Sequence, residues 1–445
     1  MIKNSLLLLA AILFFFSCGR KKQNNENSNS SSPFVKVNGQ AFEVNGEAYF
    51  YLGTNFWYGL NLGSKGAGGN RERLIRELDR LKAMGINNLR IVAGSEGPDT
   101  EPWRMLPSLQ PSPGKYNPEV LDGLDFLMYE MGKRKMYAIM CLNNFWPWSG
   151  GMGQYLVWAG AADSIPYPPP HPGGDWGKYA EFTAQFYSNQ KAMDLFNKHI
   201  EFIVNRKNPY TGTEYKNDPT IMSWELANEP RGVNNIKDFL KWVDNTAGLI
   251  KRLDSNHLVT TGSEGKTSDS KASGTNLEKD HTSKNIDYAT IHIWVQNWGF
   301  YDPDKADSTY PAAVKYAIDY IDDQVKIANR LNKPLVLEEF GISRDLNNHA
   351  AETPTQVRDK YYKEIFEEVY NRAAKPEPEL AGVNFWAWGG EGRPRIPKGV
   401  WKMGDDFIGD PPHEFQGWYS VYDTDSSTIA VIKQYADKMN SLGNK

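Results

Sequence analysis

Residues 221–262 read IMSWELANEPRGVNNIKDFLKWVDNTAGLIKRLDSNHLVTTG. An apolar run, 221–227, is stopped at Pro230. A helical pattern follows at 235–253, with Trp242 beside Leu240 and Val243 on its core side. A second apolar run, 258–262, ends the unit. The same unit recurs along the chain. Strand-like runs occur at 49–56, 88–93, 136–143, 221–227, 258–262, 286–294, 334–340 and 382–388. Helical patterns lie between most of them, at 70–84, 118–134, 180–206, 235–253, 311–331 and 354–374, with a last helix at 427–441. The stretch 266–285 is polar and short, so the helix after the fifth strand is reduced. Alternating strands and helices imply a parallel sheet. Eight such units predict an α/β protein, a (β/α)₈ TIM barrel. A short N-terminal hairpin at 34–50 precedes it, with Asn38-Gly39 and Asn45-Gly46 as turn signals. An open doubly wound sheet would carry a Gly-rich phosphate fingerprint after its first strand, and Gly53-Thr54-Asn55 is not one. Two long insertions, 145–179 and 389–426, follow strands, so both belong on the C-terminal face, where barrel active sites are built.

Ahead of the barrel the chain reads as an address. Lys3 supplies a positive start, and Leu6 to Phe16 is an apolar run of eleven, too short to span a bilayer. The run ends in Phe16-Ser17-Cys18-Gly19, which resembles a bacterial lipobox with Cys18 as the lipidated residue; an ordinary secretory leader is the alternative. Residues 1–18 are therefore expected to be a signal peptide, 19–33 a flexible polar tether, and 34–445 one catalytic domain. The protein is expected to be exported and held to a membrane by lipid, or secreted. Cys141 is then an unpaired buried thiol.

Composition narrows the function. Lys and Arg total 50 and Asp and Glu 54, a net charge of −4 that excludes a basic nucleic-acid footprint. Two cysteines exclude a disulfide scaffold or thiolate cluster, and seven scattered histidines without a His-Glu-x-x-His pattern argue against a zinc site. No metal or cofactor is expected. Aromatic residues make up 13% of the chain, among them 14 Trp, so large flat faces are available for a ligand.

Two strands end in carboxylates. Trp224-Glu225-Leu226-Ala227-Asn228-Glu229-Pro230 brings Glu229 to the barrel rim after strand four, and Leu335-Val336-Leu337-Glu338-Glu339-Phe340-Gly341 does the same after strand seven. Those strands lie across the barrel from each other. An opposed acid and nucleophile is what glycoside hydrolysis with retention requires. Asn228 is placed to bond a sugar hydroxyl. A single strand-end Glu more often caps a helix or pairs with an Arg; two opposed ones argue for chemistry. Strand alternation sends Glu338 to the other face, and Glu225, on the face of Glu229 but lower, needs a partner such as an arginine.

Asn228-Glu229-Pro230 and Glu339-Phe340-Gly341, in that strand order, resemble glycoside hydrolase family 5 over 34–445. The resemblance implies Glu229 as acid/base and Glu339 as nucleophile. It implies that Arg90, in Asn88-Leu89-Arg90-Ile91, steers the nucleophile, and that His292 and Trp294 flank the cleavage point. Arg90 and His292 would together keep Glu339 ionised. Trp386 matches the aromatic platform under the sugar, with Trp388 as the alternative by alternation. The segments 53–58, 141–151 and 292–298 look like the endo-β-1,4-mannanase branch, which brings Asn143, Asn144, Trp57 and Trp146 into substrate binding. Of Trp57, Trp146, Trp148, Trp158, Trp298 and Trp401, about half are expected to line a cleft. The expected partner is β-mannan polysaccharide or oligosaccharide, without nucleic acid, and the expected state a monomer. An endo-β-1,4-glucanase, an exo-acting mannan hydrolase whose insertion 145–179 blocks the cleft, and a non-enzymatic surface glycan-binding lipoprotein are the competing readings.

Overall fold

A computed structural model describes residues 32–443. The leader, Cys18 with its expected lipid, and residues 19–31 of the expected tether lie outside the described residues. Among the described residues no helix is long and apolar enough to cross a membrane.

The expected hairpin is a three-stranded antiparallel meander, β1 (Lys36–Asn38), β2 (Ala41–Val44) and β3 (Glu47–Tyr49). Asn45 and Gly46 both take positive φ, 55° and 82°, which a tight two-residue hairpin turn demands. Phe42 and Tyr49 of the meander pack with Tyr51, Ile139, Met222, Tyr288 and Val336 of the barrel wall. The meander thus closes the N-terminal end of the barrel with apolar side chains.

The barrel strands are β4 (Tyr51–Asn55), β5 (Asn88–Val92), β6 (Tyr137–Cys141), β7 (Ile221–Glu225), β8 (Leu258–Thr260), β9 (Ala289–Ile293), β10 (Leu335–Phe340) and β11 (Gly382–Phe385). They form one sheet in the order β8-β7-β6-β5-β4-β11-β10-β9, every neighbour parallel. The β8–β9 seam is stitched by single bonds rather than a ladder: Asp287 N–H to the Val259 carbonyl at 2.8 Å, His292 N–H to the Glu264 carbonyl at 3.2 Å, and Thr290 Oγ1 to the Ser263 carbonyl at 2.9 Å. The fold is the expected (β/α)₈ TIM barrel.

Helix Ile236–Leu253 shows why the alternation was readable. It buries Phe239, Trp242, Val243, Thr246, Ala247 and Ile250, a 3–4 spacing that makes one apolar stripe. Each large apolar side chain so buried is worth about 1.5–3 kcal/mol. The expected helix 180–206 is instead broken. A helix at Trp176–Thr183 runs into a 3₁₀ turn at Ala184–Ser188, and a second helix starts at Gln190 and ends at Val204. The break is at Asn189, whose side chain accepts from Ala192 N–H at 3.0 Å and so begins a new helix. After β8 only two single turns form, Ser270–Ser273 and Leu277–Asp280, as the polar stretch suggested. The 389–426 insertion is held by β13 (Val421–Tyr422), which pairs with β12 (Trp388–Gly390). Cys141 is a buried free thiol whose Sγ donates to the Asn143 carbonyl at 3.1 Å.

Candidate active site

Glu229 stands four residues past β7 with a φ of +48°, a left-handed conformation that costs a non-glycine residue about 1–2 kcal/mol. Strain of this kind persists only where the surroundings fix it. Here Glu229 N–H donates to the Gly262 carbonyl at 3.0 Å. Gly262 itself has φ +76°, and a Cβ there would meet the Ala227 carbonyl oxygen at 2.0 Å and Glu225 Oε1 at 2.4 Å. The close approach of the β7 and β8 ends therefore depends on that glycine.

Glu339 arrives by a different device. The β9–β10 register pairs Leu337 with Ile291 but Glu339 with His292, so β10 carries one extra residue, a bulge at Glu338. Regular alternation would have turned Glu338 outward. Instead it is fully buried inside the barrel, with Oε2 at 3.8 Å from Arg90 Nε and 3.7 Å from His292 Nε2. The expectation for Glu338 is corrected: the bulge turns both neighbouring carboxylates to the interior.

Arg90 on β5 organises the floor. Its Nε and Nη2 grip Glu225 at 2.7 and 2.6 Å. Nη1 donates to Glu339 and, at 3.0 Å, to Asn55 Oδ1. Nη2 also donates to Asn228 Oδ1 at 2.8 Å. All five guanidinium protons are thereby used. Glu225 has its arginine, and Arg90 meets Glu339 as the resemblance implied. Asn228 holds its amide oxygen on Arg90 and donates to Asn144 Oδ1 at 3.2 Å.

His292 lies between the two carboxyls and favours the ionised form of Glu339, as the resemblance implied, but it also serves Glu229. Its Nδ1 is 2.7 Å from Glu229 Oε1 and 3.4 Å from Glu339 Oε2, so its hydrogen bond goes to the acid/base candidate. Trp294 Nε1 also donates to Glu229 Oε1, at 3.2 Å, and Trp146 Nε1 to Oε2, at 2.6 Å. Burial works to raise Glu229. The His292 bond and charge, Arg231 and the Trp146 indole outweigh it and hold the carboxyl down to about 2. Burial lifts Glu339 to about 8, against His292 and Arg90 and with the Glu229 charge adding to it. His292, which burial alone would depress, is raised to about 10 by Glu339, Glu229 and Glu338. In the free cleft the imidazolium bonded to Glu229 favours its ionised form and burial favours the protonated form of Glu339, the reverse of what the first step of retaining hydrolysis needs. One donor atom each of Glu229, His292 and Glu339 lies within 4.8 Å of the others; Arg90 and His292 already supply cationic charge to that cluster.

Above these groups opens a cavity of about 600 Å³. Asn228, Glu229 and Glu339 form its floor, with Trp294 and Trp386 beside them and Trp146, Trp148 and Trp298 in its walls. The family model described as GH family 5 beta-mannosidase-like matches residues 32–444. The chain belongs to glycoside hydrolase family 5. It is a glycoside hydrolase. A solved glycoside hydrolase family 5 mannosidase from Rhizomucor miehei superposes with a TM-score of 0.85 at 41% identity, covering 93% of this chain and 99% of that one. A mutant of the fungal enzyme has been solved in complex with mannosyl-fructose. Mannan endo-1,4-beta-mannosidase 1 of Arabidopsis thaliana is 30% identical over 370 residues, 79% of this chain and 81% of the plant protein. The endo-beta-1,4-mannanase of Thermotoga petrophila matches with a TM-score of 0.64 at 25% identity, over 89% of this chain and 78% of that one.

Within this family 5 cleft the aromatic expectations divide. Trp146, Trp148 and Trp298 line the cavity, three of the six considered; Trp57, Trp158 and Trp401 do not. Trp57 is corrected from platform to clamp: it is buried, its Nε1 donates to the Gly409 carbonyl at 2.9 Å, and it pins the 389–426 insertion. Trp388 is likewise corrected. Its indole is buried and donates to Glu77 Oε2 at 2.9 Å, and of the two it is Trp386 that lines the cavity. Asn143 and Asn144 do not line the cavity. Asn143 offers its carbonyl to Asn228 N–H at 2.9 Å, and Asn144 Oδ1 accepts from Trp146 N–H at 2.9 Å; both shape the loop rather than face the cleft.

Several wall residues carried no sequence signal of their own. Arg231 lies 4.7 Å from the Trp146 ring centroid and grips Glu264 at 2.6 and 2.8 Å. Its position directly after Asn-Glu-Pro was the available hint. Trp176 and His413 come from the two insertions and meet edge to face at 5.2 Å. Asp410 ties the second insertion by accepting from Gly417 N–H at 3.0 Å and Tyr419 N–H at 2.6 Å. That tie places Glu414 and Trp418 in the cavity wall.

Proposed function

We propose that the protein hydrolyses β-1,4-mannosidic bonds of mannan-type saccharides with retention of configuration, by double displacement. The observation that carries this reading is the pair Glu229 and Glu339, with carboxylate oxygens within 4.8 Å of each other. Retaining pairs stand about 5–5.5 Å apart, and inverting pairs about 6.5–9.5 Å to admit a water. In the first step Glu229 gives its proton to the glycosidic oxygen while a Glu339 oxygen bonds to the anomeric carbon and the aglycone leaves. In the second, Glu229 takes a proton from water, whose oxygen displaces Glu339. The acid form of Glu229 has a local source that also frees the nucleophile: the proton favoured on Glu339 passes to Glu229 by way of His292 Nδ1, 3.4 Å from the one and 2.7 Å from the other, and the imidazolium is restored. A sugar filling the cavity strips water from Glu229, which raises its proton affinity, while Arg90 remains bonded to Glu339 to favour its ionised form.

The substrate class rests on the mannosidase and mannan endo-mannosidase relatives. Attack at a chain end is favoured by the contact of Trp176 with His413, which joins the two insertions over one side of the cleft. Internal attack along an open groove is the second reading, favoured by the activity of the Arabidopsis relative. Reducing-sugar release from galactomannan, linear mannan and carboxymethylcellulose, with Glu339→Ala beside it, tests the class. Release from the mannans, lost in the variant, is the expected result. Release from cellulose alone overturns the mannan reading, and tight binding without release revives the glycan-binding one. Mannose as the sole early product supports chain-end action; early mixed oligosaccharides support internal action.

A further inference from the structure

Glu338 takes no part in the chemistry just described, yet it is buried in the barrel directly behind it. The β10 bulge turns it inward, and both its oxygens lack a hydrogen-bond partner among the described residues. His292 Nε2 lacks one as well. The two face each other across 3.7 Å, while Nδ1 on the opposite edge of the same ring is bonded to Glu229 at 2.7 Å. Each is the partner the other is missing. We propose that Glu338 is a positioning residue that holds a proton on His292 Nε2 and thereby, through the ring, governs the protonation of Glu229.

The imidazole links the two carboxyls, with one of them at each of its nitrogens. With Glu338 ionised, an imidazolium is favoured and Nδ1–H is a donor that stabilises ionised Glu229. With Glu338 neutral, the imidazolium loses its rear anion, and Glu229 loses the cation that keeps it charged. The neighbourhood leaves few other controls. Arg90 from β5 is 3.8 Å from Glu338, but its five protons are committed elsewhere. Burial first, and then Glu225 from β7, push the Glu338 carboxyl above its ordinary value, against Arg90 and His292, which favour its charge. Tyr51 from β4 and Tyr288 ahead of β9 feel that charge, as phenols kept protonated by burial. Glu229 and Glu339 complete the set around the ring. Asn55 Nδ2 donates to the main-chain carbonyl of Glu338 at 2.9 Å, which holds the bulge, while among the described residues its carboxyl oxygens have no hydrogen-bond partner.

The role assigned to Glu229 rests on the retaining reading above, so the test includes a readout that needs no turnover. Histidine ¹⁵N NMR of the wild-type protein should find His292 Nε2 protonated at pH 7; an unprotonated Nε2 overturns the proposal, whatever the enzyme does to mannan. Glu338→Gln should make His292 titrate to the neutral form at lower pH. It should also move the acid limb of kcat/KM, which Glu229 sets, upward by about one pH unit, the lower end of what one buried charge does. KM should hardly change. Glu338→Asp, which keeps the charge, should restore the limb towards its wild-type position. A uniform loss of activity with an unmoved limb and an unmoved His292 titration would make Glu338 merely structural and overturn the assignment. If Glu338→Gln fails to fold, the wild-type nitrogen spectrum decides.

Discussion

Trp146 offers the sharpest test of how this cleft manages its acid. The indole Nε1 donates to Glu229 Oε2 at 2.6 Å, and the ring face lies 4.7 Å from the Arg231 guanidinium carbon. Trp146→Phe keeps an aromatic face for sugar and for Arg231 and removes only the N–H. A hydrogen bond to a charged group contributes about 1.5–3 kcal/mol. At about 1.36 kcal/mol per pKa unit, its loss should raise Glu229 by roughly one to two units. In the free cleft Glu229 titrates below Glu339, so Glu229 sets the acid limb of kcat/KM, and that limb should move upward by this amount. The basic limb, set by Glu339, should stay. The assay is a pH profile with two aryl β-mannosides, one with a poor leaving group and one with an activated one. The poor leaving group depends on the acid and should show the full displacement; the activated one should show little. An acid limb that stays put or moves to lower pH with the poor leaving group refutes the reasoning. A rise in KM with both profiles unmoved would leave Trp146 as a sugar platform and no more.

Three other outcomes follow from the same geometry. Glu225→Gln strips the bidentate partner from buried Arg90; breaking such a pair costs about 3–5 kcal/mol, which for a barrel of this length lowers the thermal midpoint by about 4–6 °C, and calorimetry showing no change would refute a structural ion pair there. Burial lifts Glu96 to about 8, with its bonds to Gly151 N–H and Tyr155 opposing; its folded value lies above the unfolded one, so its stabilising share is complete below the unfolded value and is lost as pH rises towards 8. The thermal midpoint should therefore fall between pH 5 and 8, and Glu96→Gln should flatten that fall; an unchanged slope would contradict it. Cys18→Ser should abolish incorporation of labelled fatty acid and release the protein from membranes, whereas a wild-type protein that takes up no label and is found free of membranes would favour an ordinary secretory leader.

What could be read from the sequence is what local periodicity specifies. The helix at 236–253 presents Phe239, Val243 and Ile250 at helical spacing, and its boundaries were legible to a residue or two. Glu229 and Glu339 were legible because Pro230 and Gly341 mark where their strands stop. Glu338 was not. Period-two alternation assigns faces only to a regular strand, and the bulge that turns Glu338 inward is set by the pairing of β10 with β9, which no window on β10 contains. Trp57 and Trp388 failed for a related reason. Both are large aromatics at strand ends near the cleft, and what decides their direction is a distant acceptor: the Gly409 carbonyl for one, Glu77 for the other. The Trp176–His413 contact joins residues far apart in the chain, so the narrowing of the cleft was beyond any local reading.

The charges in the barrel interior carry the chemistry one step further. Glu225, Glu229, Glu338 and Glu339 share that interior with one guanidinium, Arg90, and one imidazole, His292; the Arg231–Glu264 pair beside them adds no net charge. Four ionised carboxylates against two cations would leave two uncompensated negative charges out of contact with water, which is prohibitive. Glu225 takes two hydrogen bonds from Arg90, and the protons that matter to the chemistry are held among Glu229, His292, Glu338 and Glu339. The two steps of double displacement require Glu229 to be protonated, then ionised, then protonated again, while Glu339 goes from anion to neutral ester and back. When Glu339 forms its ester, a negative charge disappears next to His292. That is the moment at which Glu229, having given up its proton, becomes an anion bonded to the same ring. The charge near His292 Nδ1 is thereby conserved through the glycosylation step, and the imidazole needs no proton from solvent. A variant with a neutral side chain at 292, His292→Gln, keeps an amide donor for Glu229 but cannot compensate that charge. Its loss should fall on both steps alike, so the covalent intermediate should not accumulate in a burst experiment. A burst that appears in His292→Gln but not in the wild type would locate the imidazole in deglycosylation alone and refute the shared-charge account.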